Sequence, residues 1–372
     1  MPELLTSVEL FAGAGGLALG LERAGFQAAA LVEFDKNACA TLRANFPDTP
    51  VIEGDVRGVD WSEIAAPGET DLVAGGPPCQ PFSLAGSQRG EADERDMIPE
   101  FVRAVQGLRP KAFLMENVRG LLSPRHADYY RRVLERLAEP ALGLRYTVTP
   151  NLVCAADYGV PQQRWRVLVI GIREDQNPEG FAFPEPTHSF EALLHSQYVT
   201  GEYWHRHPVP EDDRLPLNKP HARKLALVKQ NGPGALLPWR TFRDATCDLG
   251  EIGPVDRSHH TRHALWREPI VNPPWKMHPT RPDLPANTVL ASHSGSARFN
   301  MVQLPEGRAR ELTIPERLRA QTFPDTWQII AAGRQSALKQ LGNAVPVQLG
   351  QVAGNVIAAH LAAQRPAQGL AA

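Results

Sequence analysis

The sequence predicts an α/β protein: a doubly wound, mostly parallel sheet joined to a smaller, irregular domain. Three observations point there. Residues 4 to about 175 alternate short β-type runs with helical patterns. The first β-type run leads directly into a glycine-rich turn that opens a helix. Beyond residue 176 the alternation stops and prolines recur at 178, 184, 186, 208, 210, 216 and 220, where each removes a backbone donor and interrupts regular structure.

Taken in order, 4–11 reads as a strand and 17–24 as a helix. A strand at 28–34 precedes a helix at 36–45, and a short third strand ends before Gly54. Residues 70–74 form an apolar strand, and 97–108 a helix that stops before Arg109-Pro110. A strand at 111–115, a helix at 127–137 and a β-rich run at 166–172 complete the alternating part. The irregular stretch includes a second proline group at 269, 273, 274, 279, 282 and 285. Helical patterns return at 315–321, 335–340 and 347–362, and the small residues from 364 onward read as a fraying tail.

At 372 residues the chain is long enough for about two domains. It is 42% hydrophobic and 22% charged, a globular balance that argues against disorder. The N-terminus lacks the basic start of a signal peptide, and no apolar run approaches membrane length. Cys39, Cys79, Cys154 and Cys247 are scattered without CxxC pairing, which fits a reducing cytoplasm. The net charge is −2, yet 214–267 holds ten Lys/Arg against four Asp/Glu. Such asymmetry suits one face to phosphates, although a solvated surface gives the same pattern. His259, His260 and His263 lack cysteine or carboxylate partners at metal-ligand spacing, so no metal site is expected.

Five segments carry chemistry. Phe11-Ala12-Gly13-Ala14-Gly15-Gly16 forms the glycine turn, and Glu33 follows 20 residues after Gly13. This pattern suits an adenosine whose ribose hydroxyls bind the carboxylate. Nicotinamide enzymes, flavoproteins and methyltransferases all build it. Asp55, after the third strand, is positioned for an adenine amino group or for an ordinary turn. Gly75-Gly76-Pro77-Pro78-Cys79-Gln80-Pro81-Phe82-Ser83 is more specific, because it stiffens a loop around one thiol at a strand end. Glu116-Asn117-Val118 follows the next strand and falls on the same rim. In Gln162-Gln163-Arg164-Trp165-Arg166 a strand would put Arg164 and Arg166 on one side, apt for a carbonyl oxygen and a phosphate. Near the C-terminus, Gly342-Asn343-Ala344-Val345-Pro346 precedes the last helix, whose free N–H groups suit a carboxylate.

In this order the segments resemble those of the bacterial cytosine-C5 DNA methyltransferases. The likeness spans the first 173 residues and roughly the last 90, and includes Glu316-Arg317-Leu318-Arg319-Ala320-Gln321-Thr322-Phe323-Pro324-Asp325. One position departs: Pro315 stands where the family commonly has arginine. The resemblance implies a Rossmann-like methyltransferase fold, with a catalytic domain at 1–175 and 333–372. A target-recognition domain with hinge segments would occupy 176–332. It also implies S-adenosyl-L-methionine as methyl donor, held by Phe11, Gly13, Gly15, Gly16, Glu33, Asp55, Pro78 and Asn343.

The implied reaction explains the catalytic set. Cytosine C5 is too weak a nucleophile until a thiolate, here from Cys79, adds at C6. Glu116 would share a proton at N3, which calls for a desolvated carboxyl. Arg166, with Arg164 beside it, would hold O2. The base has to leave its duplex, at a cost of about a few kcal/mol. Gln80, Ser83, Lys229, Arg240 and Arg243 are the candidate DNA contacts, alongside Gln230, Asn231 and Trp239. Double-stranded DNA is the expected partner, a restriction endonuclease would act separately, no membrane is involved and a monomer suffices. Competing readings are a tRNA cytosine methylase, which usually has threonine at the position of Ser83, a catalytically silent DNA-binding module, and a nicotinamide oxidoreductase.

Overall fold

Walking along the chain, the first elements are β1 (Leu5–Leu10), α1 (Gly16–Arg23), β2 (Phe26–Glu33), α2 (Lys36–Asn45) and β3 (Val51–Glu53). Then come β4 (Leu72–Gly75), α3 (Ile98–Leu108), β5 (Ala112–Val118), α4 (Ala127–Ala138), β6 (Tyr146–Cys154), β7 (Gln162–Gln163) and β8 (Trp165–Arg173). The computed structural model describes residues 4–78, 96–214, 216–249, 270–271, 279–291, 300–304 and 308–364. Cys79, Gln80, Ser83 and the His259/His260/His263 group lie outside the described residues.

The described residues form a seven-stranded sheet in the order β3-β2-β1-β4-β5-β8-β6. The β3-β2-β1-β4-β5 part is parallel, and β8 runs antiparallel to β5. The expectation of a mostly parallel, doubly wound sheet therefore holds. The order reverses between β1 and β4, which is where such folds open a crevice at the strands' carboxyl ends. β6 was not legible in advance, because its exposed and buried residues do not alternate regularly.

Burial explains the local choices. Val8 and Leu10 of β1 pack with Ile98, Phe101 and Val105 of α3 and with Leu137 of α4 in one apolar cluster. Each such side chain contributes about 1.5–3 kcal/mol when taken out of water. α2 starts at Asp35, whose side chain accepts the N–H groups of Asn37 and Ala38.

The remaining elements are β9 (His188–Ser189), α5 (Phe190–Tyr198), α6 (Glu202–Arg206), α7 (Lys219–Asn231), β10 (Leu237–Pro238) and α8 (Phe242–Thr246). They continue as β11 (Ile270–Val271), β12 (Ala286–Asn287), β13 (Met301–Gln303), β14 (Arg308–Glu311), α9 (Ile314–Ala320), α10 (Arg334–Asn343) and α11 (Val347–Ala363). The middle region thus holds helices where the sequence suggested mostly loop. The reason is visible in α7, where Val228 is the buried residue and no apolar stripe marks the helix. Phe190, Leu193, Leu194, Tyr203 and Trp204 form the cluster that α5 and α6 share.

The chain divides into two compact units. One comprises Met1–Val153, Trp165–Pro184 and Leu349–Ala372; the other Cys154–Arg164 and Glu185–Gln348. These limits differ from the anticipated 1–175 plus 333–372 and 176–332: residues 154–164 and 333–348 go with the second unit. In the first unit, α11 packs on α1 at Gly350 and Gly354, which lie against Leu17 and against Leu21 and Ala24.

Glu9 is the outlier of this core. It is 2% exposed, and its Oε2 has no hydrogen-bond partner. Burial, then the neighbouring Glu33 charge, pushes its carboxyl well above the ordinary 4.5. As pH rises past that value the unfolded chain releases this proton while the folded one keeps it. Stability therefore falls with rising pH until the folded group also ionises. Glu9→Gln should melt higher than the wild type at pH 8, with the gap closing toward pH 5, as followed by thermal unfolding across that range.

Candidate active site

The ends of β1, β2, β4 and β5 converge on one rim, and each brings residues that the sequence had singled out. Directly after β1 comes Phe11, whose φ of 56° is left-handed. A bulky residue held there costs on the order of 1–3 kcal/mol and is found mainly at functional sites. Gly13 and Gly15 follow with φ of 55° and 80°, values that glycine adopts freely.

Glu33, at the end of β2, locks this turn. Its Oε2 accepts the Gly13 N–H at 2.8 Å, and its Oε1 accepts the Phe34 and Asp35 N–H groups at 2.9 and 2.8 Å. A carboxylate offers about four acceptor positions, so capacity remains for a hydroxyl donor. Phe34, next in sequence and 73% exposed, is an aromatic face on the rim that sequence reasoning passed over. Its signal was available: an aromatic directly after the strand-end carboxylate. Asp55 caps the short turn Val56–Gly58 and grips Arg57 at 2.5 Å. Those hydrogen bonds hold its carboxyl below the usual range, ionised and ready to accept. These residues fit an adenosine: a carboxylate for the ribose, an ionised acceptor and an exposed aromatic ring for the base.

The second half of the rim is built by β4 and β5. Gly75 pairs with Met115, and Gly76 follows it. A side chain at residue 76 would come within 3.1 Å of Glu116 Oε2, so the Glu116 carboxylate lies against the stem of the Pro-Cys loop. Pro77 is buried, and its carbonyl accepts the Asn117 side-chain N–H at 3.2 Å. Pro78 is exposed, and its carbonyl accepts the Met97 N–H. Asn117 is a positioning residue that the sequence gave no separate reason to notice.

Glu116 lies inside β5 rather than after it, and is buried. Arg166, also buried, brings Nε to 2.5 Å from Glu116 Oε1. The approach is off the N–H axis, so it is a charge contact, and both atoms keep their hydrogen-bonding capacity without using it. A buried charge pair that is not aligned as a hydrogen bond, at the end of a sheet strand, is a candidate functional group.

Arg164 is a correction. The chain leaves strand geometry there, between β7 and β8, so it does not share a face with Arg166. It is 1% exposed and donates to the carbonyls of Val289 and Gly342, each at 3.1 Å. Gln162 likewise donates to Ala320 O and accepts the Val289 N–H. Of this motif, Arg166 alone faces Glu116.

The start of α11 also departs from expectation. Its Val347 and Gln348 N–H groups are taken by Gln321 O at 3.0 Å and Thr322 Oγ1 at 2.9 Å, so they are closed to a carboxylate. Asn343 is exposed as the last residue of α10. Among the DNA candidates, Lys229 and Arg240 are exposed. Arg243 is committed to Asp283, with Nε–Oδ1 at 2.6 Å, and Trp239 donates to Asp157. Those two side chains build the fold. Among the described residues no cluster of His, Cys, Asp and Glu suits a metal ion, and no helix is long and apolar enough to cross a membrane.

Comparison with known proteins follows the same outline. A family profile described as C-5 cytosine-specific DNA methylase matches residues 5–359. A type II methyltransferase, M.NgoMIV of Neisseria gonorrhoeae, is 35% identical over 365 residues, 95% of this chain and 96% of that protein. M.PspPI of a Psychrobacter strain is 35% identical over 94% of this chain and 78% of its own length. The crystal structure of Spodoptera frugiperda DNMT2, at 16% identity, superposes with a TM-score of 0.60 over 95% of this chain and 99% of that one, a likeness of fold.

Arg164→Ala should strip the donors from two buried carbonyls and cost at least about 1–3 kcal/mol, read as a lower urea midpoint.

Proposed function

The chain belongs to the C-5 cytosine-specific DNA methylase family, and we propose that the buried Glu116–Arg166 pair is the pocket that receives its extruded cytosine. The protein is a DNA (cytosine-5-)-methyltransferase that uses S-adenosyl-L-methionine. S-adenosyl-L-methionine supplies an electrophilic methyl group. Phe11, Gly13, Gly15, Gly16, Phe34, Glu33, Asp55 and Pro78 would hold it, with Glu33 accepting from the ribose and Asp55 from the adenine amino group. Asn343 is a further contact, through its exposed side chain.

The buried charge contact of Glu116 with Arg166 at the carboxyl end of β5 carries this proposal. A cytosine edge presents N3, O2 and an exocyclic amine together. Arg166 would donate to O2, and Glu116 would share a proton with N3 and accept from the amine. Cys79 is the proposed nucleophile. Its thiolate would form a bond to C6 as the C5–C6 π electrons move to C5; C5 would then take the methyl group while the methyl–sulfonium bond breaks and its electron pair stays on sulfur, leaving a neutral thioether. A base then removes the C5 proton, the C5–C6 double bond re-forms and the thiolate leaves. Asn117, by holding Pro77 O, keeps the loop stem against Glu116. Arg164 acts through structure alone.

The DNA is double-stranded in this proposal, and its sequence is read by the second unit. Lys229 and Arg240 are the surviving basic candidates there, with Gln80 and Ser83 on the catalytic loop. The type II relatives support a role in protecting DNA from a separately acting restriction endonuclease. In this proposal a monomer suffices, because one nucleophile serves one base at a time.

A duplex containing 5-fluorocytosine tests the pocket, because fluorine at C5 cannot leave as a proton does. The wild type should form a denaturation-resistant adduct mapping to Cys79, and Cys79→Ala should form none. An adduct of undiminished yield in Cys79→Ala would overturn the assignment. Glu116→Gln should lower kcat by about 10²–10⁴-fold while retaining cofactor binding, as separated by single-turnover methyl transfer and equilibrium dialysis.

A further inference from the structure

Beside the Glu116–Arg166 pair stand two residues with no part in the chemistry above. The register pairs Val118 with Arg166, so Arg119 and Trp165 flank that pair on the rim. Arg166 donates to the Trp165 carbonyl at 2.7 Å, which ties the position of Trp165 to the pocket arginine. The Trp165 ring is 37% exposed, and the Arg119 guanidinium lies over it, 5.5 Å from the ring centroid.

What sets Arg119 apart is the ring beneath it: Arg23, Arg109 and Arg136 of the same unit are also exposed and outside any ion pair among the described residues, but none of them lies over an aromatic ring. In the same unit Arg43, Arg57, Arg131, Arg145 and Arg173 each face a carboxylate. Among the described residues Arg119 has no ion pair, and it is exposed. An aromatic face holds a guanidinium flat without neutralising it, so its planar fork of donors stays open for an anion. Arg119 also starts a short turn directly after β5, which fixes its backbone relative to Glu116. The arrangement is a preoriented cation beside a pocket for one base.

We propose that Arg119, laid on Trp165, binds the DNA backbone phosphate next to the extruded cytidine and so holds the strand while the base occupies the pocket. The proposal rests on the assignment of the Glu116–Arg166 pocket. Arg119 binds the phosphate, and Trp165 is a positioning residue that keeps its guanidinium oriented. An extruded nucleotide has lost its stacking and pairing, so a grip on the adjoining phosphate offsets part of that loss.

The test uses the full-length enzyme and duplexes in which single phosphates around the target cytosine are replaced by neutral methylphosphonates. Arg119→Ala should raise KM for DNA by about tenfold and make the slope of log KM against log salt shallower by about one. Arg119→Lys should restore the salt slope but only part of the KM, because it supplies charge without the planar fork. Trp165→Ala should move KM in the same direction, and add nothing to Arg119→Ala. One methylphosphonate position flanking the target should impair the wild type and leave Arg119→Ala indifferent. A wild-type KM and salt slope in Arg119→Ala would overturn the proposal. So would equal sensitivity of both proteins to every methylphosphonate. Loss of the Cys79 adduct at saturating 5-fluorocytosine DNA would fault the pocket assignment, whereas its retention with a shifted KM isolates the clamp.

Discussion

A buried charge contact between Glu116 and Arg166 organises the site. Two ions withdrawn from water tolerate that position only together; removal of one leaves the other uncompensated, at about 3–5 kcal/mol. The contact depends in turn on strand direction. Because β8 runs antiparallel to β5, the beginning of β8 meets the carboxyl end of β5. Had β8 been parallel, Arg166 would have started at the opposite edge of the sheet, far from Glu116 and Gly76. The same reversal brings Trp165, at the start of β8, to Arg119, directly after β5.

The glycine-turn side of the rim is held by backbone contacts in a related way. Glu33 accepts three backbone N–H groups, one of them from the glycine turn. Phe11 occupies a left-handed conformation because the turn and the sheet on either side leave it no alternative. The switch point between β1 and β4 then provides the crevice, where loops diverge instead of covering one another.

Much of the polar inventory of the second unit is structural. Tyr203 donates to Asp283, which also receives Arg243, and Thr241 and Asp244 form a capping box at α8. Arg317 is fully buried with Glu311 beside it, and burial lowers its guanidinium to about 10. Thr313 and Glu316 cap α9 reciprocally, while Arg310 pairs with Glu316. Thr322, at φ 61°, turns its hydroxyl to the start of α11. The segment from Glu316 to Asp325 therefore spends most of its charged groups on architecture. The proline at 315 sits in the first turn of α9, where no N–H is needed.

The alternation of strands and helices, the glycine turn, Glu33 and Glu116 were legible in the sequence, because each is written in adjacent residues or in a fixed period. Family membership was legible for the same reason. Arg164 was misread: its spacing from Arg166 implies a shared strand face, and only the break at residue 164 turns it toward Val289 and Gly342. The free N–H groups anticipated at α11 are occupied by Gln321 and Thr322, more than 20 residues away in sequence. Helix α7 of the middle region was hidden because its buried stripe is too narrow to stand out. Local sequence determined which groups stand at the strand ends, since turns and periods are short-range properties. Tertiary structure decided which of those groups remain open to a ligand, because pairing partners are chosen across the fold by strand direction and burial.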